Sequence, residues 1–418
     1  MSIGATESMP VTRRGAIALL CAFLFVVPFT SSVALRLGFL GLALVLTLAW
    51  VATREGGWRS GLPPLRLVAP MLAWGAWCAT SVAWSVEPGY SLSELRPELL
   101  YPFVAFLLFY ALTRDTADID FWAWSLSAGL ALHSVAAGVL IMLTGTWDPH
   151  RWHGDFGSAA THVVLALPLL AWAFLRTRAP WLRALLAAVA IDALVVASWT
   201  DNRIAWLALS AMTVLAVLLE FGSIERRHRG RLVLSAVLAV AAFVAMFALT
   251  LQVRSPLPQA SVPGAAVELA RDPRVAIWRY AAARVTEAPW IGHGFGRGIL
   301  REKLRMGVEP GIENSLYTHA HNTLLNAALQ GGLVGVVLFS WMVAALLREM
   351  AAGWRRGPPA RHAATLGIVI VAGFAIRNLT DDFLVRHNAL LLWSLVGAAL
   401  GSLRLEREPA PISARTPG

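Results

Sequence analysis

Long apolar runs alternate with short polar turns along most of the chain. A run of about 20 apolar residues, at a rise of about 1.5 Å each, crosses a hydrocarbon core of about 30 Å. Twelve such runs are readable, at about 15–30, 33–51, 66–84, 98–113, 119–144, 159–176, 180–199, 203–222, 231–251, 322–347, 362–379 and 388–404. The pattern predicts an all-α integral membrane protein with about 12 transmembrane helices. It divides the chain into nine helices over 1–251, a long polar loop over 252–321, three helices over 322–404 and a Pro-rich tail over 405–418. Arg13 and Arg14 precede the first run in the manner of a signal peptide. No small-x-small cleavage site follows and further spans do, so the first run reads as an uncleaved helix.

Composition agrees with this pattern. Hydrophobic residues make up 57% and charged residues 14%, against about 25% charged in a soluble domain. The net charge is +10, and the basic residues are nearly all Arg. No nucleic-acid motif accompanies them, which argues against a nucleic-acid partner. Cys21 and Cys78 both fall inside apolar runs, so neither a disulfide framework nor a cysteine metal site is expected. The arginines gather in alternate loops: Arg54, Arg59 and Arg66; Arg176, Arg178 and Arg183; Arg226, Arg227, Arg229 and Arg231; Arg348, Arg355, Arg356 and Arg361. The positive-inside rule puts those loops and both termini in the cytoplasm and the 252–321 loop on the outer face. The tail after 405 is expected to be disordered.

The outer loop is itself basic, with Arg254, Arg271, Arg274, Arg279, Arg284, Arg297, Arg301, Lys303 and Arg305. These cations serve anionic headgroups, sit on solvated helix faces, or meet an anionic substrate. Asp272-Pro273 is a helix start, with Asp as N-cap and Pro at the first helical position. That helix runs to about Glu287, before Pro289, with Val275, Trp278, Ala282 and Val285 as its apolar stripe. Arg274 falls in its first turn, where unpaired backbone N–H groups favour phosphate; the alternative is a surface arginine.

Further candidates sit at span ends on the same face. His321-Asn322 precedes an apolar helix that carries Gly332 and Gly335. The dipole at that helix start favours a neutral imidazole, the form a general base requires. Asn322 either caps the helix or orients the ring, and the two glycines permit a neighbour to approach closely. Arg203, in the turn Thr200-Asp201-Asn202-Arg203, either pairs with Asp201 and snorkels or clamps a phosphate bidentately. Arg377-Asn378-Leu-Thr380-Asp381-Asp382 suits an ion-pair network between helices. Asp148, His150, Arg151, His153 and Asp155 fit no standard metal spacing; His319-x-His321 adds only a little to that idea. Gly292-His-Gly294-Phe-Gly296-Arg297-Gly298 lacks a preceding strand and the GxGxxG spacing, so it reads as a flexible turn and not a dinucleotide site.

Parity places Arg203, the loop arginines, His321 and Arg377 on the outer face. Cations for a diphosphate leaving group beside a base for a hydroxyl suit glycosyl transfer from a lipid diphosphate. At these residues the chain resembles the O-antigen ligases, a branch of a superfamily that also holds O-antigen polymerases and protein O-oligosaccharyltransferases. The family signature is His, a small polar residue, nine residues, Gly, two residues, then Gly; His321, Asn322, Gly332 and Gly335 fit it. The family's Thr-x-Ser-Arg-Gly-like turn resembles 200–204, departing at Asn202 and Ile204. Its Arg-x-x-x-Trp entry matches Arg274 and Trp278, and its Pro-x-x-Gly-x-Gly turn resembles 289–294.

The resemblance covers about 200–400 and implies a GT-C-type glycosyltransferase with one large periplasmic loop. It implies transfer of O-antigen polysaccharide from undecaprenyl diphosphate to a lipid A-core sugar hydroxyl, with inversion, at the periplasmic face of the bacterial inner membrane. His321 would be the base, and Arg203 and Arg274 would hold the diphosphate. Arg271, Trp278, Arg297, His319, Asn322 and Arg377 complete the expected substrate-binding set. No metal and no cofactor are implied; membrane lipids, the lipid-linked glycan and the lipid A-core acceptor are the expected partners. A polymerase or protein-glycosylating enzyme shares the motifs. A transporter would carry more ionisable groups in mid-span than Asp192 and His133.

Overall fold

The computed structural model describes residues 9–53, 61–145, 156–200, 202–254, 273–299 and 319–404. Among the described residues every element is helical. In chain order they are α1 (Val11–Val26), α2 (Val33–Ala52), α3 (Leu65–Thr80), α4 (Pro88–Leu112), α5 (Thr116–Thr144), α6 (Phe156–Arg176), α7 (Pro180–Ser198), α8 (Arg203–Glu220), α9 (Arg226–Arg254), α10 (Pro273–Glu287), α11 (Thr323–Trp354), α12 (Ala360–Arg377) and α13 (Arg386–Ser402). Each of the twelve expected spans corresponds to one of these helices, and α10 is the loop helix.

Among the described residues, ten helices are long and apolar enough to cross a membrane. Of the about twelve expected spans, α1 and α13 are not among these ten, having 16 and 17 residues. At about 1.5 Å per residue each falls a few ångströms short of the hydrocarbon thickness. Both are nonetheless built into the bundle: α1 lies against α2, and α13 against α4. Nearly every residue of α13 is buried, which makes it a central helix. The reverse error occurs at α4. Its apolar run begins near 98, yet the helix reaches back to Pro88 through Glu94, Arg96 and Glu98. Those carboxyl groups are sheltered by neighbours, so hydropathy underestimates the helix.

Polar contacts sort the bundle into two ends. At one, Arg13 pairs with Asp118 at 2.7 Å, Arg66 pairs with Glu349, Glu220 meets His362 at 2.9 Å, and Arg404 donates to the carbonyls of Tyr110 and Ala111. These are the ends that the arginine count assigns to one side. At the other end lie the α3–α4, α10–α11 and α12–α13 connections. Helix α8 runs antiparallel to α12, as Glu220 beside Thr365 and Gly373 against Met212 require. By that register Arg203 stands level with the α12–α13 turn.

Helix α10 spans the expected range, while its expected cap, Asp272, lies outside the described residues. Its buried face differs from the expected stripe. Ile277 and Ala281 are buried and Ala282 is exposed, because the helix docks on α11, where Ala281 joins a small core with Ile299, Ala320 and Leu329.

Helix α11 is broken at Gly332, with φ 62° and ψ −162°. The 288–296 segment fills the break. His293 N donates to Leu329 O at 2.8 Å, Gly294 N to Gln330 O at 3.0 Å, and Leu333 N to Pro289 O at 2.8 Å. A Cβ on Gly332 would collide with the backbone of Trp290. The glycine-rich stretch is therefore not the expected flexible turn: it is hydrogen-bonded into α11, with Gly292, Gly294 and Gly296 all at positive φ.

Candidate active site

The docked segment, the start of α11 and the α12–α13 turn converge on one group of side chains. Asn322 caps α11, its Oδ1 accepting from Leu325 N at 2.9 Å, and its Nδ2 donates to Leu379 O at 3.0 Å. Thr323 N donates to Asn378 O at 3.2 Å, and Asn326 Nδ2 donates to Asp382 Oδ2 at 2.6 Å. This lattice holds the α12–α13 turn against the helix start. The chain just before the cap takes a left-handed conformation, with His321 at φ 47°. A non-glycine residue is held there only when its surroundings over-determine it, and such strain gathers at functional sites. Trp278 Nε1 contributes by donating to His321 O at 3.3 Å.

The result is a compact charged cluster. His319 Nε2 lies 2.8 Å from Asp381 Oδ1, and His321 Nδ1 lies 3.4 Å from the same oxygen. The two imidazole centroids are 3.9 Å apart. An Arg297 guanidinium nitrogen approaches His319 Nε2 at 2.9 Å and Asp381 Oδ1 at 3.3 Å. Burial pushes Asp381 up, but hydrogen bonds from His319 and His321 outweigh it and hold the carboxyl well below its ordinary range. Burial, reinforced by Arg297, lowers His319 to about 4. His319 Nε2 cannot donate to Asp381 and accept from Arg297 in one state. With Asp381 ionised and His319 neutral, both nitrogens donate to the carboxylate, and the Arg297–His319 approach is a contact between two donors.

The same three residues, His319, His321 and Asp381, offer ligand atoms within 4.8 Å of one another, as a metal site would. Arg297 already sets a positive charge against two of them, which opposes a cation at that point. The residues at 148–155 that were weighed as metal ligands lie outside the described residues.

Other expected site residues fall out variously. Arg274 stands one turn before Trp278 on α10, so the two share a helix face. Arg203 begins α8 at the same end of the bundle, and its buried Nε has no hydrogen-bond partner among the described residues. Arg377 is turned inward instead. It is 1% exposed, donates to Gly157 O at 3.0 Å and stacks 4.2 Å above Phe383, which ties α12 to α6. Arg271 and Asp201 lie outside the described residues. Two acids have a larger part than the sequence suggests: Asp381 is expected only in an ion-pair network, and Glu98 only at the edge of a span. Glu98 is buried and its Oε2 accepts from Arg297 N at 3.3 Å.

Residues 163–340 match the family model described as O-antigen ligase. Over this stretch the chain is similar to the O-antigen ligase family. Members are membrane enzymes of the glycosyltransferase kind, ligases and polymerases among them. No curated protein matches the chain. The matched stretch runs from α6 into α11, and so contains Arg203, Arg274, Trp278, Arg297, His319 and His321. Asp381 and Glu98 lie beyond it and reach the matched stretch only through folding.

Proposed function

We propose that this protein is an O-antigen ligase that moves a glycan from undecaprenyl diphosphate to a lipid A-core sugar hydroxyl, with inversion. The observation that carries the reading is His321 set against Asp381 at a strained helix start, at the bundle end that also carries Arg203 and Arg274. In this mechanism Asp381 faces His321 Nδ1 at 3.4 Å, and the His321 imidazole takes the proton of the acceptor hydroxyl. The acceptor oxygen bonds to the anomeric carbon as the bond to the diphosphate breaks. The diphosphate leaves with the electron pair, and Arg203 and Arg274 balance its charge. Trp278, His319, Asn322 and Arg297 position the cluster, and Arg377 fixes α12 behind it. Such a site belongs in a GT-C-type enzyme at the periplasmic face of the bacterial inner membrane, with 252–321 as its periplasmic loop.

The test is purified protein in vesicles with a lipid-diphosphate glycan and three acceptors: lipid A-core, a further repeat unit and a protein. Transfer to lipid A-core is expected. Product on a repeat unit or on protein would instead make the chain a polymerase or a protein-glycosylating enzyme. His321→Ala should lower transfer by about 10²–10⁴-fold while insertion stays normal; retained transfer would remove His321 as base.

A further inference from the structure

An open cleft lies between α3, α4 and α11, beside the His–Asp cluster. Its belly is aromatic: Trp74 lies 5.6 Å from Phe339 by ring centroids, and Trp77 lines the wall beside them. Its charged lining is Glu98, Arg297 and Asp382. Trp77 Nε1 donates to Gly331 O at 3.0 Å, at the break in α11, and so fixes its ring against the docked segment. Glu98 stands on a π-helical turn, Arg96–Leu100, inside α4. Such turns are rare and recur at functional sites, because they swing one side chain out of the ordinary helical register.

Charge decides what this cleft suits. Two carboxyl groups, Glu98 and Asp382, face one guanidinium, and Arg297 is already engaged by Asp381 at 3.3 Å. The guanidinium in the cleft lining is thus already committed to a carboxylate and not open to a diphosphate. Carboxyl oxygens do accept hydrogen bonds from hydroxyls, and the electron-rich face of an indole receives the C–H face of a sugar ring. A few convergent polar groups on an apolar wall are the usual build of a small-molecule site. Arg297 borders both the cleft and the His319–Asp381 pair, so a ring held in the cleft abuts the cluster.

We propose that the cleft between α3 and α11 is the acceptor subsite and takes an uncharged, hydroxyl-rich saccharide, with Glu98 accepting from a ring hydroxyl and Trp74 under the ring. This deepens the ligase reading and rests on it for the word acceptor. The test is therefore binding, which needs no turnover. Isothermal titration of detergent-solubilised full-length protein is run with two probes: a dephosphorylated lipid A-core oligosaccharide and undecaprenyl diphosphate. Glu98→Gln, which keeps the shape, should weaken the oligosaccharide about tenfold or more and leave the lipid diphosphate within about twofold. Trp74→Phe should act in the same direction, which guards against a purely local effect of Glu98 on the Arg297 backbone. Loss of lipid-diphosphate binding instead would assign the cleft to the donor, and unchanged binding of both probes would abolish the subsite. Saccharide binding at the cleft in a protein that transfers no glycan would leave the subsite standing and sink the ligase reading alone.

Discussion

His319 and Asp381 make the clearest residue-scale statement, because burial and hydrogen bonding act on them in a calculable direction. An unfolded histidine takes up a proton near about 6.5, whereas folded His319 resists until about 4. The unfolded state then binds more protons through that window, so stability falls as pH falls from about 6.5 to about 4. Asp381 is held low and adds to the loss at still lower pH. The melting temperature of the solubilised protein should drop across that interval, and His319→Gln should flatten the drop; a wild-type profile without slope there would contradict the burial of a neutral His319. The cluster also bears on metal dependence. Arg297 supplies the positive charge beside His319 and Asp381, so transfer should stay within about twofold under a strong chelator, since a metal in that place would face direct repulsion. Activity lost to the chelator and restored by a divalent cation would overturn this. His321 and Asn322 were legible as a helix start. The part played by Asp381 was not, since 60 residues of chain separate it from His321 and nothing local distinguishes it from Asp382.

Elements, not single residues, explain the signature glycines. Gly332 and Gly335 share one motif, but they do different work. Gly332 has a positive φ and touches the Trp290 backbone, while the nearest atoms to a Cβ on Gly335 stand at 3.5 Å, ordinary contact. Gly332→Ala should therefore detach the 288–296 segment, with strain of about 1–3 kcal/mol before any lost hydrogen bonds. Gly335→Ala should be mild. Limited proteolysis after α10 measures both, and equal sensitivity of the two variants would refute the distinction. The extent of α10 was legible from its Pro273 start and Pro289 stop. Its buried face was not, because amphipathic spacing cannot tell a membrane surface from a neighbouring helix. The length of α4 was missed for a related reason: buried carboxyl groups look like solvent contact until their neighbours are known.

For the whole molecule, the separation of polar contacts into two ends predicts sidedness. Trp290 is 65% exposed at the end that carries the cluster, and the Arg227 side chain is 74% exposed at the opposite end. In a background without Cys21 and Cys78, Trp290→Cys should react with an impermeant maleimide from the periplasmic side. Arg227→Cys should react only after the membrane is opened. Labelling of both from one side would break the topology.

The apolar runs determined the class of this protein and its helix order, and the arginine bias the end of the bundle on which the candidate chemistry is expected. Hydropathy and charge bias act locally and survive in any neighbourhood, so they can be read along the chain. The pairing of His321 with Asp381, the docking of the glycine-rich segment into a broken helix, the inward turn of Arg377 and the aromatic cleft above Glu98 were decided only by the tertiary structure. Each depends on which groups meet across tens or hundreds of residues, and therefore on packing that no local pattern encodes.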